Sequence, residues 1–352
     1  MKKILYLLPL MILVLTGCAI AIKTTKSVDG GVFKTEDAGD HWQQTAAIYR
    51  VGEVAKNFGT VDVSAMIMDP TDRQAIYVGT ETDGLFYSYN GGNGWQQSLA
   101  TSGKINAIAI DHADRCVVYT AIGNRVYKTA DCSRHWDYQL IETRDNPNNQ
   151  ITTIAVDPNN SRLIYTGTSG KGLFVSEDAA FSWHVVDYFD DRIVKILISP
   201  KNSNIIYVVT ASKGTYKSTD QGKTWHNLFT AEKFKNSGDI FVYRDLVIDP
   251  TTDDGLLYAS DYGLIRSTDG GASWQELKLL TPPKTSQIYS IGINPKNGQE
   301  IFYGVAKTLY RSQDNGKNWI TRSIPTARAP KFMLLDYQNP KILYLGVKST
   351  AK

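Results

Sequence analysis

Ser218-Thr219-Asp220-Gln221-Gly222-Lys223-Thr224-Trp225 is the stretch that decides the fold, because imperfect copies of it punctuate the whole chain. They run from Thr35 to Trp42, Ser88 to Trp95, Thr129 to Trp136, Ser176 to Trp183, Ser267 to Trp274 and Ser312 to Trp319. The seven copies use all seven tryptophans, and consecutive tryptophans lie 53, 41, 47, 42, 49 and 45 residues apart. A period in this range means an array of like units. The box itself reads as a hairpin turn. Ser and Asp side chains bond nearby backbone groups and fix the turn. Gly supplies a left-handed position without steric cost, and Trp carries a large ring into the next strand. Asp37, Asp131, Asp178, Asp220, Asp269 and Asp314 hold the acidic place, and Asn90 replaces it once; Ser133 and Ala180 replace the Gly. This role accounts for Ser, Gly and Trp together, whereas an acidic or metal-binding array would account for the carboxylates alone.

A second pattern interleaves with the boxes. An alternating apolar run ends in Asp-Pro or a variant, a polar turn follows, and a run containing Tyr comes next. Met66-Ile67-Met68-Asp69-Pro70 with Ile76-Tyr77-Val78 is one example, and Ile154 to Pro158 with Ile164-Tyr165-Thr166 another. Such alternation, rich in β-branched and aromatic residues, reads as strand, and Pro ends a strand because it cannot donate to the ladder. A short third strand such as Gly172 to Val175 leads into each box, and the Trp strand is the fourth. Each unit is then a four-stranded antiparallel sheet, the blade of a β-propeller. The first box has no strand pair before it, and the last strand pair, Phe332 to Val347, has no box after it. Joined, they complete one blade. The expectation is an all-β, seven-bladed propeller over residues 30–348, closed by both termini, with no open sheet edge left at the seam. The alternative is six blades with unpaired ends.

The repeated box resembles the Asp-box, or bacterial neuraminidase repeat, of sialidases, sortilin-type receptors, xyloglucan-active endoglucanases and photosystem II assembly factors. In those families the box is a structural turn on the outer part of a propeller blade, away from the ligand face. The resemblance therefore implies fold more than function, since one architecture serves enzymes and binders alike.

At the N-terminus, Lys2 and Lys3 precede an uncharged apolar run from Ile4 to Leu15. It is shorter than the ~20 residues of a membrane span and suits a secretory leader. Leu15-Thr16-Gly17-Cys18 resembles a bacterial lipobox. Residues 1–17 are thus expected to be a lipoprotein signal peptide, with Cys18 lipidated and residues 18–29 a tether. The protein is then exported and lipid-anchored in a bacterial envelope. The chain's net charge of +3 falls to +1 without Lys2 and Lys3. That balance gives no global footprint for nucleic acid. Neither phosphate-binding nor dinucleotide-binding glycine motifs occur, and the His and Cys residues lack metal-ligand spacing. No cofactor, metal or nucleic-acid partner is expected, and a monomer is. Cys116 begins a second strand and Cys132 sits in the following box, so a tight turn near Gly123 sets them opposite each other. In an exported protein such a pair commonly forms a disulfide; two buried thiols are the alternative.

The Asp-Pro turns and the boxes share one end of the blades and are regular. Loops from second to third strands, and between blades, share the other end and vary, which is where rigid scaffolds place specificity. By loop position, Arg50, Arg192, Arg244 and Arg328, with Tyr243, match the arginine patch that the resemblance to photosystem assembly factors implies for a membrane-protein partner. A guanidinium is a planar donor fork suited to carboxylates. The chief reading is therefore a non-catalytic scaffold that docks a protein or glycan partner on this face. The alternative is a glycoside hydrolase, which needs two carboxyl groups ~5–9.5 Å apart. Asp62, Glu81 and Asp83, or Asp191 with Asp245, are the candidates. Tyr49-Arg50-Val51-Gly52 lacks the Ile and Pro of a sialidase segment. Xyloglucan-active enzymes resemble two facing propellers, and this chain has one. A sortilin-like peptide receptor ranks third, because no cysteine-rich companion domain accompanies the repeats.

Overall fold

The computed structural model describes residues 29–49, 56–141, 149–230, 234, 238–282 and 285–350. The leader, Cys18 and Arg50 lie outside these. The described chain forms seven four-stranded antiparallel sheets and one small two-stranded ribbon, Ala47–Ile48 with Lys56–Asn57. The inner strands, in chain order, are Val63–Met68, Ala107–Ile110, Ile151–Asp157, Ile193–Ile198, Tyr243–Ile248, Ile288–Asn294 and Ala329–Leu335. Successive inner strands pack around a central axis, the fourth and fifth through the cluster that joins Val194 and Leu197 to Leu246, and the seventh meets the first. Six blades run in simple sequence from axis to rim, while the seventh takes its order from both ends of the chain. Its inner strands are Ala329–Leu335 and Leu343–Lys348, and its outer ones are Val32–Thr35 and Gln43–Gln44. Phe33 faces Leu345 and Thr35 faces Leu343 across the seam. The protein is a seven-bladed β-propeller closed by its termini.

The boxes form the expected turns. Ser218 Oγ donates to Asp220 Oδ1 at 2.7 Å and accepts the Gly222 amide at 2.8 Å. Asp220 Oδ1 accepts the Thr224 amide at 2.9 Å, and Oδ2 accepts the Thr224 hydroxyl at 2.6 Å. Gln221 and Gly222 take φ of 60° and 88°, the left-handed pair that makes the turn tight. The box also couples blades. Tyr165 of the third blade donates to the Gln221 carbonyl in the fourth blade's box at 3.1 Å. Tyr344 of the seventh blade reaches the Gly91 carbonyl in the first at 3.0 Å. These tyrosines belong to a set of seven buried ones, a single residue in each second strand, completed by Tyr77, Tyr119, Tyr207, Tyr258 and Tyr303. The tryptophans differ in burial. Trp95 alone is wholly buried at 0% exposure; the other six are half-buried, because the box strand lies near the rim. A disulfide joins Cys116 to Cys132 within the second blade.

Six of the seven inner strands carry a β-bulge near their start, where Ser64, Thr152, Val194, Arg244, Tyr289 and Lys331 are the extra residues. Bulges re-aim side chains. Here they do so at the variable end of the channel.

Candidate partner-binding face

Each inner strand enters from the variable end, so its first residues stand at the mouth of the central channel. Arg192 precedes the fourth inner strand. Its amide donates to Asp191 Oδ1 at 2.7 Å, and its side chain is exposed with no hydrogen-bond or ion-pair partner among the described residues. Arg244, a bulge residue, grips Asp261 with two donors, Nη2 to Oδ2 at 2.9 Å and Nε to Oδ1. Arg328 has a different role from the one read in the sequence. It donates to Asp62 Oδ1 at 2.6 Å, Asp29 Oδ1 at 3.2 Å and the Thr60 carbonyl at 2.8 Å. It thereby ties the seventh blade to the start of the first. Tyr243 is packed beside the mouth, with its hydroxyl 3.4 Å from Asp245 Oδ1; burial first, and then the Asp245 charge, push its phenol well above the ordinary value.

The candidate catalytic carboxylates all have local employment. Asp62 accepts Arg328 and the Ser349 amide at 2.7 Å. Asp83 is held in its own turn by the Thr82 hydroxyl at 2.7 Å. Asp191 accepts the Ser212 amide at 2.6 Å and the Ser212 hydroxyl at 2.9 Å. Asp245 takes the Lys195 ammonium at 2.7 Å on one oxygen and the Ile291 amide at 3.1 Å on the other.

The sequence reading missed the lysines. Lys195 pairs with Asp245, and Lys348 and Lys104 share Glu81 at 2.5 and 3.3 Å. Burial raises the Glu81 carboxyl, but the two ammonium groups outweigh it and hold it below its usual value. Lys331 has no hydrogen-bond or ion-pair partner among the described residues. Burial holds its ammonium below the ordinary lysine value; Asp245 opposes this, while Arg244, Lys195 and Lys348 reinforce it. Lys331 sits in the seventh blade, and Lys195 and Arg244 in the fourth and fifth. A side chain that feels charges across the ring must reach toward the axis. Near the mouth Lys195 pairs with Asp245, next to Arg244 in the fifth inner strand, and Lys331 lies close enough to feel the charges of Asp245, Arg244, Lys195 and Lys348. The available sequence signal was positional: two of the six bulge residues, Arg244 and Lys331, carry a full charge.

Other features lie elsewhere. Tyr49 packs on the rim against the first blade's box, where its ring occupies the space beside Gly94. A cleft of about 330 Å³ opens between the second and third blades, lined by Val126, Lys128, His135, Gln139 and Phe181 among others. It lies on the box side, away from the channel mouth. Among the described residues no three His, Cys, Asp or Glu side chains are placed to share a metal ion.

With this geometry in hand, comparison with known proteins places the chain. A sortilin family model (Sortilin-Vps10; sortilin, neurotensin receptor 3) matches residues 171–262. The chain resembles sortilin there. No curated protein matches its sequence. Among solved structures, a GH74 xyloglucanase from Xanthomonas campestris is 18% identical, with a TM-score of 0.67 over 81% of this chain and 51% of the enzyme. YCF48 bound to a D1 peptide is 15% identical, with a TM-score of 0.62 over 82% of this chain and 94% of YCF48. The extracellular domain of the putative one-component system BT4673 from B. thetaiotaomicron is 18% identical, with a TM-score of 0.61 over 87% and 39%. The chain therefore spans about half the length of the xyloglucanase it matches. At these identities the likeness is one of fold, and the fold is shared by hydrolases and by non-catalytic propellers.

Proposed function

We propose that the protein is a non-catalytic binding scaffold, held at a membrane by a lipid on Cys18, that receives an acidic surface of a protein partner at the mouth of its channel. The observation that carries this reading is an imbalance of commitments. Asp62, Asp83, Asp191 and Asp245 are each engaged by neighbours, whereas Arg192 and Lys331 have no hydrogen-bond or ion-pair partner among the described residues. Glycoside hydrolysis needs one carboxyl group kept protonated by a raised pKa. The carboxyl groups at the mouth and in the boxes whose pKa is clearly displaced, such as Glu81 and Asp220, are displaced downward. Basic groups on a rigid rim favour electrostatic complementarity, which speeds encounter and selects partners. A single propeller of YCF48's length carrying a peptide is a precedent for this mode. The match to the xyloglucanase covers 51% of that enzyme.

The test compares Asp62→Asn, Asp83→Asn, Asp191→Asn and Asp245→Asn with Arg192→Ala and Lys331→Ala. Envelope proteins co-purifying with the chain and activity on a glycan panel are scored for each. The scaffold reading expects a partner that is lost in the Arg192 and Lys331 variants and released by salt. Glycan cleavage by the parent protein, abolished by any folded Asp→Asn variant, contradicts it. The anchor is tested separately: Cys18→Ser is expected to move the protein from membrane to soluble fractions, and an unchanged membrane fraction contradicts lipidation.

A further inference from the structure

Six of the seven boxes use their carboxylate in the same way. One oxygen bonds the turn, and the other takes the side chain four residues on: His41 for Asp37, His135 for Asp131, Ser182 for Asp178, Thr224 for Asp220, Ser273 for Asp269 and Asn318 for Asp314. The first blade's box departs at both positions together. Asn90 replaces the Asp, and the residue four on is Gly94, which has no side chain to offer. Asn90 Oδ1 still holds the turn, accepting Ser88 Oγ at 2.8 Å and the Gly94 amide at 3.0 Å. Its Nδ2 donor is left without a partner among the described residues.

The vacated space is filled from elsewhere in the chain. A Cβ at Gly94 would lie 2.0 Å from the Tyr49 ring, so this aromatic rests directly on the turn. The segment that brings it is fixed by backbone bonds, Trp95 N to the Ala47 carbonyl and Tyr49 N to the Trp95 carbonyl, both at 3.0 Å. Tyr49 and Tyr89 present their rings to solvent, 60% and 45% exposed. Tyr87 packs on Tyr89 with ring centroids 4.8 Å apart, and its hydroxyl donates to Gln96 Oε1. Gln96 Nε2, like Asn90 Nδ2, has no partner among the described residues. Tyr49, Tyr87, Ser88, Tyr89, Asn90 and Gln96 line a hollow of about 180 Å³, with no charged group among the described residues that line it.

We propose that this hollow binds a neutral saccharide residue. Its volume suits one six-membered sugar ring. Tyrosine faces match the apolar C–H face of such a ring, and uncommitted amide donors with hydroxyl groups match its hydroxyls, the mix of apolar wall and few polar groups that ligand sites share. The uncharged lining among the described residues favours a neutral ligand. A proline ring would fit the aromatic faces but has no hydroxyls for the two free amide groups. The site is independent of the channel mouth, so it stands whether or not the scaffold reading does.

The test is calorimetric titration of the full-length protein with maltotetraose, cellotetraose, chitotetraose and, as a comparison, a proline hexapeptide. At least one of the three sugars is expected to bind. Tyr89→Ala should weaken that binding tenfold or more. So should the double change Asn90→Asp with Gly94→Ser, which restores the ordinary box, displaces Tyr49 and is expected to keep the melting temperature. Arg192→Ala and Lys331→Ala should leave it unchanged. The proposal is overturned if none of the sugars binds, if the proline peptide alone binds, or if the restored box binds sugar as well as the parent does.

Discussion

Asp220 is a half-buried carboxylate whose affinity for protons is lowered. The Thr224 hydroxyl and amide, then the Ser218 hydroxyl, bond its charged form and hold its pKa at about 2. Asp178, Asp269 and Asp314 are held at about 2 by the same bonds, and Asp37 and Asp131 are lowered by the backbone and ring of the histidine four residues on. A pKa lowered by folding stabilises the native state above the unfolded value, near 4, and that contribution disappears as pH falls toward 2. The melting temperature should therefore drop between pH 4 and pH 2, and Asp220→Asn should make the drop shallower. A melting temperature flat across that window would contradict the role of the boxes. The tryptophans are graded by burial. Trp95→Ala should cost about 3–5 kcal/mol and Trp225→Ala, half-buried, about 2 kcal/mol, as chemical denaturation can measure. Equal losses would mean that the rim position of Trp225 is irrelevant.

At the scale of the element, the box is both a turn and a latch. Its local half was legible in the sequence, because Ser218, Asp220, Gly222 and Thr224 lie within seven residues and their bonds are local. Its other half was not, because Tyr165 and the Gln221 carbonyl it meets are 56 residues apart and join through blade stacking. Tyr165→Phe keeps the ring and removes this hydroxyl bond. It should cost about 1 kcal/mol in equilibrium unfolding, with no change in partner capture. A neutral effect would mean the latch does not stabilise. The strands themselves were legible from alternation and from the Asp-Pro stops. The bulges were not, since one extra residue such as Lys331 leaves no composition signal; it becomes visible only when Pro330 and Phe332 pair with Val347 and Gly346.

Over the whole molecule, closure is the feature on which the rest depends. The mismatch between an unpaired first box and an unpaired last strand pair foretold it, and the seam is fastened further by Arg328 to Asp62 and by Arg73 to the buried Asp336 at 2.6 Å. Deleting residues 332–352 should strip Val32–Thr35 of its partner strand and expose an apolar edge that aggregates. A truncated chain that stays monomeric and melts as before would contradict a shared blade. Closure also explains why the mouth was only half legible. Arg192 and Arg244 were found from loop position, but Lys195 and Lys331 are 136 residues apart in sequence and are brought near one another by the ring. The claim that a partner docks on this mouth is tested most directly by site-specific photo-crosslinking in cells. A benzophenone amino acid is placed at Arg192 or Lys171 on the variable face, and at Lys223 or Lys201 on the box face. Crosslinks to one envelope protein from the first pair and none from the second are the predicted result; crosslinks confined to the box face would contradict the account.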